Sequence, residues 1–239
     1  MLDAAEINRV LVVTAHPDDV DFGSAGTIAL FTERGVEVTY CVVTDGDAGG
    51  FDRELDNTGM AELRRAEQRA AAKAVGVEDV RFLGYRDGTV VHSLDLRRDI
   101  ARAIRQVRPD LLMTHSPERN YQAISPSHPD HRAVGGAAID AVYPDARNPY
   151  AFPELLRDEG LEAWTVREVW LSGGPTPNHY VDITDTIDRK LAALQSHVSQ
   201  VGHIEGFADF ARGRWSQMAS AAGFGEGRYA EAFQVVPTA

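Results

Sequence analysis

Short β-branched runs that end at polar residues and are each followed by a helical period constrain this chain most. Arg9–Ala15 (RVLVVTA), Val36–Thr44 (VEVTYCVVT), Val80–Leu83 and Asp110–His115 (DLLMTH) are near-continuous apolar stretches of strand length. Between them, Gly23–Gly35 reads as a helix closed by glycine, and Leu94–Val107 reads as another. Met60–Val75 places Leu63, Ala66, Ala70 and Ala74 three or four residues apart, which predicts that they form its inward face. Strands without internal alternation, separated by helices, are buried on both sides. The fold class expected is therefore α/β: a Rossmann-like three-layer arrangement with a mostly parallel sheet and helices on both faces.

The last third continues less regularly. Val166–Leu171 and His179–Ile183 read as strands, and Thr184 is expected to cap a helix with a buried stripe of Ile187, Leu191, Leu194, Val198 and Val201. A final helix is expected between Phe207 and Ala222. The proline- and aromatic-rich stretch at about 143–166 has no clear period and is taken as a variable excursion within one domain spanning 1–239.

Composition narrows the partners. A formal net charge of -12 and the lack of any Lys/Arg-rich run argue against nucleic acid and acidic membrane faces. No stretch reaches membrane-span length, and Asp3 and Glu6 precede any apolar run, the wrong order for a secretory signal, so a cytoplasmic location is expected. Cys41 is the one cysteine; it excludes an internal disulfide and sits in a strand as a core thiol.

Two motifs carry chemistry. Ala15-His16-Pro17-Asp18-Asp19 begins where the first strand ends, the place where open α/β sheets bind ligands. His16 and Asp19 are three residues apart, so one tight turn can aim an imidazole and a carboxylate at a divalent ion, leaving Asp18 free to take a proton from water. Capping of the next helix by Asp18 and Asp19 explains the same acids in isolation. The second motif, His128-Pro129-Asp130-His131, ends the long loop Ser116–Ser127. One of its histidines can serve as a third ligand and the other can reach a substrate carbonyl, with Asp130 orienting a ring. A polar turn leading into the helix Arg132–Val142 is the plain alternative. Taken together, the motifs match a metal site with three protein ligands and an open position.

The paired AHPDD and HPDH motifs resemble those of the PIG-L/LmbE superfamily of metal-dependent N-deacetylases. That superfamily includes N-acetylglucosaminyl-phosphatidylinositol, mycothiol-pathway and bacillithiol-pathway deacetylases. Thr44-Asp45-Gly46, Arg64–Gly76 (R-x-x-E) and Lys190–Gln200 (K-x-x-A-L-x-x-H-x-S-Q) are similar to further family segments. The resemblance implies metal ligation by His16, Asp19 and His131, with Zn2+ as the expected ion and Fe2+ or another divalent transition metal also compatible. It implies Asp18 as general base and His128, in its charged form, as the oxyanion-stabilising residue tuned by Asp130. Arg64 is similar in place to a substrate-contacting arginine, although an Arg64–Glu67 pair along the helix explains it equally. Val20 stands where many members carry Glu, and Pro126 where some carry Tyr, with Tyr121 the candidate substitute.

The activity implied is hydrolysis of an N-acyl group from an amino-sugar-like small molecule. A thiol-conjugate amidase of the same superfamily remains open, as does a mononuclear iron oxygenase built on the same two-histidine, one-carboxylate set. A sugar- or nucleotide-binding module is disfavoured because Gly46, Gly49 and Gly50 form no phosphate-binding fingerprint. Arg53, Arg119, Asn120 and Tyr121 are candidate substrate contacts in the loops. A homo-oligomer is left open by the pattern.

Overall fold

The computed structural model describes residues 1–51 and 54–238. In chain order the elements are β1 (Arg9–Thr14), α1 (Asp19–Gly23), α2 (Ala25–Glu33), β2 (Glu37–Thr44), α3 (Asn57–Ala74), β3 (Asp79–Tyr85), α4 (Leu94–Val107) and β4 (Leu111–His115). There follow α5 (Pro129–Asp140), α6 (Pro153–Arg157), β5 (Glu168–Ser172), β6 (His179–Asp182), α7 (Ile187–Gln195), α8 (Val198–Val201), α9 (Phe207–Ala221) and β7 (Ala230–Pro237). The strands form one sheet in the order β3-β2-β1-β4-β5-β7-β6. Pairing is parallel from β3 through β5 and antiparallel where β7 meets β5 and β6.

Alternate residues of each strand face opposite layers. Leu11, Val13, Cys41, Leu112 and Val169 pack under α4 and α5, whereas Val10, Val12, Tyr40, Met113 and Trp170 pack under α2 and α3. A smaller apolar cluster joins α7, α8 and α9 through Ile187, Leu191, Leu194, Val201, Phe207 and Trp215. The three-layer α/β expectation is met. The chain goes from β1 outward to β2 and β3 and then returns past β1 to β4. The carboxyl ends of β1 and β4 therefore meet at a topological switch point, where the diverging loops leave a crevice. No helix among the described residues is long and apolar enough to cross a membrane.

Several local expectations change. The helix expected over 23–35 runs from Ala25 to Glu33, and a short helix not expected from sequence, α1, precedes it across a break at Ser24. On α3 the buried residues are Met60, Arg64, Glu67, Gln68, Ala71 and Ala72, while Leu63, Ala66 and Ala70 are exposed. Apolar periodicity selected the wrong face there because the inward face carries polar groups with partners inside the protein. Thr184 does not cap α7; its hydroxyl donates to Asp182 at 2.5 Å, and a short 3-10 turn precedes the helix. Val198 falls beyond the break at His197 and is exposed, so it leaves the expected stripe.

The excursion after Tyr143 packs against the core through Ala146, Leu155 and Trp164. It is tied down by buried Arg105, whose guanidinium donates to the carbonyls of Asp145, Asn148 and Ala151. Strand β7 was not expected at all. It follows a glycine-containing turn and pairs antiparallel on both sides, outside the strand-helix alternation used to read the rest.

Candidate metal centre

The His16 turn leaves β1 at the switch point, with the imidazole 8% exposed. Asp19 closes the turn by accepting from the His16 backbone N–H at 2.7 Å. His131 reaches the same place from the first turn of α5. His16 Nδ1 lies 3.2 Å from Asp19 Oδ2, His131 Nε2 lies 3.0 Å from Asp19 Oδ1, and the two ring nitrogens are 3.3 Å apart. Ligands at about 2.0–2.2 Å in a tetrahedral shell are separated by about 3.3 Å, and the two ring nitrogens keep that spacing, with one Asp19 oxygen beside each ring.

Ring tautomers agree with that fit. His16 Nε2 faces Asp130 Oδ2 at 3.2 Å and Asp87 Oδ1 at 3.1 Å, which places its proton there and leaves the Nδ1 lone pair toward Asp19. His131 Nδ1 lies 3.2 Å from the Pro126 carbonyl, so its proton belongs on that side and Nε2 is free. Both histidines thus present unprotonated nitrogens to the same focus as Asp19.

The carboxylates and rings also set one another's proton affinity. Burial disfavours a charge on His16, but the Asp19, Asp130 and Asp87 carboxylates outweigh it and push the ring up to about 12. Burial likewise opposes ionisation of Asp19, yet His131, His115 and His16 hold it well below the usual carboxylate range. The cluster is built to retain positive charge.

Asp18 sits between the ligands in sequence with φ 93°, a left-handed conformation that a non-glycine residue adopts only under constraint. Arg64 Nη2 donates to its Oδ2 at 3.1 Å and to the Pro17 carbonyl at 2.5 Å. Burial pushes the Asp18 carboxyl up to about 6, against the pull of Arg64 and with the push of Asp19. Glu67 bonds Ser199 instead of Arg64, so the intrahelical pair considered from sequence is not formed. The glycines after Asp45 serve this arginine: a Cβ at Gly46 or Gly49 would stand 2.5 Å from Arg64 Nη1.

His128 is exposed, its ring 4.9 Å from that of His16. Burial and the neighbouring His16 and His131 hold its pKa below the ordinary value, which favours the neutral ring at pH 7 rather than the charged form expected. Its Nδ1 accepts from the Asp130 backbone N–H at 3.3 Å, so the neutral ring carries its proton on Nε2. The Asp130 carboxylate does not reach His128. It accepts from Gly88 N–H at 2.7 Å and Val90 N–H at 3.2 Å and orients His16.

Sequence reasoning missed Asp87 and His115. Asp87 shares His16 with Asp130; its signal was an Asp-Gly pair just past a strand end, the pattern also seen at Asp45-Gly46. His115 stacks on His131 at 4.1 Å and 7°, accepts from Ala15 N–H at 3.1 Å, and is pushed down to about 4 by burial and by His131. Its signal was a polar residue ending an apolar strand.

The loop candidates are not gathered here. Asn120 Oδ1 accepts from Gln122 and Ala123 N–H and shapes its own loop, while Arg119 and Tyr121 are exposed. Tyr121 is 87% exposed. Arg53 lies outside the described residues. A cavity of about 370 Å3 opens beside Asp19 and His131, with Phe22, Pro126, Trp215 and Met218 as apolar wall.

The family model for GlcNAc-PI de-N-acetylases (PIG-L) matches residues 11–142, the span that holds both motifs. This chain belongs to the PIG-L family. Among PIG-L relatives, the diacetylchitobiose deacetylase of Thermococcus kodakarensis is 31% identical over 195 residues, covering 82% of this chain and 71% of its own. The solved N,N'-diacetylchitobiose deacetylase of Pyrococcus horikoshii, in complex with its inhibitor MPG, superposes with a TM-score of 0.88 at 33% identity, covering 98% of this chain and 85% of that one. The 4-carboxy-2-hydroxymuconate hydratase GalB of Pseudomonas putida shares the fold as well, with a TM-score of 0.78 at 25% identity and 96% coverage of both chains.

Proposed function

We propose that this chain is a zinc-type metal-dependent hydrolase that removes an N-acetyl or related acyl group from an amino-sugar-like small molecule. The observation that carries the reading is the convergence of His16 Nδ1 and His131 Nε2, 3.3 Å apart, on the Asp19 carboxylate, whose two oxygens lie 3.2 Å from the first and 3.0 Å from the second. A divalent ion held there would supply a Lewis acid that polarises the amide carbonyl and makes a neighbouring water acidic. Two nitrogens and one carboxylate suit zinc, and Fe2+ is compatible with the same donors.

The chain's own groups supply the proton chemistry. Asp18, with a carboxyl near 6, is ionised at neutral pH and accepts the proton of the attacking water. His128 donates from Nε2 to the carbonyl oxygen as it gains negative charge. The carbon–oxygen bond forms, the carbon–nitrogen bond breaks, and the proton taken by Asp18 is delivered to the departing amine. Asp130 and Asp87 hold the ring proton of His16 on Nε2, so the Nδ1 lone pair is the one turned toward the ion position. Arg64 holds the Asp18 turn and is assigned to positioning rather than to substrate.

The deacetylase relatives support the amide and the amino sugar. The likeness to GalB supports a second reading, in which the same donors and base add water to an unsaturated carboxylate. Elemental analysis of protein purified without added metal, followed by acetate release from N-acetylglucosamine, N,N'-diacetylchitobiose and N-acetylated thiol conjugates, tests the first reading. Near-stoichiometric metal and stoichiometric acetate and amine are expected. Hydration of an unsaturated acid with no amide turnover would favour the second.

A further inference from the structure

The Asp18 conformation needs an explanation beyond the metal ligands. A non-glycine residue at φ 93° is strained and persists only where its surroundings over-determine it. The peptide group joining Pro17 to Asp18 is gripped at both ends by one face of α3. Its carbonyl accepts from Arg64 Nη2 at 2.5 Å, and its N–H donates to Gln68 Oε1 at 2.8 Å. Arg64 and Gln68 are four residues apart, so their side chains lie one turn from each other on the same side of the helix.

Gln68 is itself held. Its Nε2 donates to Asp21 Oδ2 at 2.9 Å, and His197 Nε2 meets that same oxygen at 2.8 Å. Gln68, Asp21 and His197 are all fully buried. Two N–H donors converge on this one carboxylate oxygen, so Asp21 dictates that Gln68 turns its amide NH2 inward and its carbonyl oxygen toward Asp18. Arg64 cannot substitute for it, because a guanidinium has no acceptor to offer an N–H.

We infer that Gln68, oriented by the buried Asp21–His197 pair, is a positioning residue that fixes the Pro17–Asp18 peptide and thereby aims the Asp18 carboxylate. The inference rests on the reading of Asp18 as general base. It accounts for polar residues on the inward face of α3 and gives His197 a task at a distance from substrate. It also separates Gln68 from binding: its loss misdirects the base without removing a substrate or metal contact.

Gln68→Met keeps the length and removes the acceptor. With N-acetylglucosamine and N,N'-diacetylchitobiose as substrates, kcat falls about 10–100-fold, in line with the cost of slight misplacement of a catalytic group. KM and bound metal stay at wild-type values. Gln68→Glu restores most of kcat, because a carboxyl buried against Asp21 stays protonated and reproduces both the acceptor and the donor. In an Asp18→Ala background, Gln68→Met causes no further loss, since a residue acting through Asp18 has nothing left to position.

Wild-type kcat in Gln68→Met, or a full additional loss in the Asp18→Ala background, would overturn the inference while leaving the base assignment intact. Wild-type turnover in Asp18→Ala alone would overturn both. If Gln68→Met does not fold, the near-isosteric Asp21→Asn replaces it. An amide at 21 no longer dictates the direction of Gln68, so kcat falls several-fold at unchanged KM, and an unchanged kcat there also overturns the inference.

Discussion

Two neighbouring aspartates occupy opposite electrostatic environments. Asp19 is surrounded by three imidazoles that hold its carboxyl well below the usual range, whereas burial pushes the Asp18 carboxyl up to about 6. Under the proposed mechanism this separation divides labour: the lowered group stays ionised as a ligand, and the raised group gives and takes a proton near neutrality. The base works only when deprotonated. Activity should therefore be present above pH 6 and fall as the pH drops through about 6, with a slope of one proton in kcat/KM. Replacing Asp18 by Asn should retain bound metal and lower kcat by about 10²–10⁴-fold at every pH. A profile flat from pH 5 to 8 in the wild-type enzyme, at constant metal content, would count against Asp18.

At the scale of elements, the site depends on close approaches that small residues permit. Helix α5 carries His131 and crosses the end of β4 at Gly135, where a Cβ would stand 2.2 Å from the His115 carbonyl oxygen. The clash is with backbone, so it cannot be relieved by turning a side chain. Gly135→Ala should lose at least the roughly 1–3 kcal/mol typical of overpacking in urea unfolding and weaken metal retention, because it moves α5 away from β4. A second dependence lies behind α2. Glu231 on β7 accepts from the backbone N–H groups of Gly26 and Thr27, and Lys190 on α7 meets it at 2.6 Å with neither side chain exposed. Removing one partner of a buried pair leaves the other uncompensated, so Lys190→Met should destabilise the protein by about 3–5 kcal/mol. Denaturant midpoints measured beside wild type check both substitutions.

For the molecule as a whole, the proposed metal site would link folding to ion binding. The proposed ligands come from the β1 turn and from α5, over a hundred residues later in the chain, and only the folded sheet brings them together. A ligand that binds only the native state stabilises it, by about 2.7 kcal/mol at a hundred times its Kd. Chelator treatment should lower Tm, and excess zinc should restore it. Cys41 reports the same cooperativity from the core. It is buried, and burial pushes its thiol up to about 12, so it should resist alkylation until the sheet opens.

The parallel sheet, the boundaries of α4 and the two His-Pro-Asp motifs were legible in the order of residues, because strand length, helical period and ligand spacing are local properties of a chain. Three things were not. The inward face of α3 was misread because burial of Arg64, Glu67 and Gln68 depends on partners in distant segments, and apolar periodicity cannot report a polar group that is satisfied. Asp87 and His115 were passed over because each becomes meaningful only beside His16 or His131, and strand order alone sets that neighbourhood. The family resemblance implied that Asp130 tunes His128, whereas the folded backbone delivers its carboxylate to His16. Sequence by itself determined which side chains could bind an ion and take up a proton. Tertiary structure decided which nitrogen of each ring faces inward and which carboxylate serves which histidine, since those choices are made by hydrogen bonds between segments that only folding brings within reach.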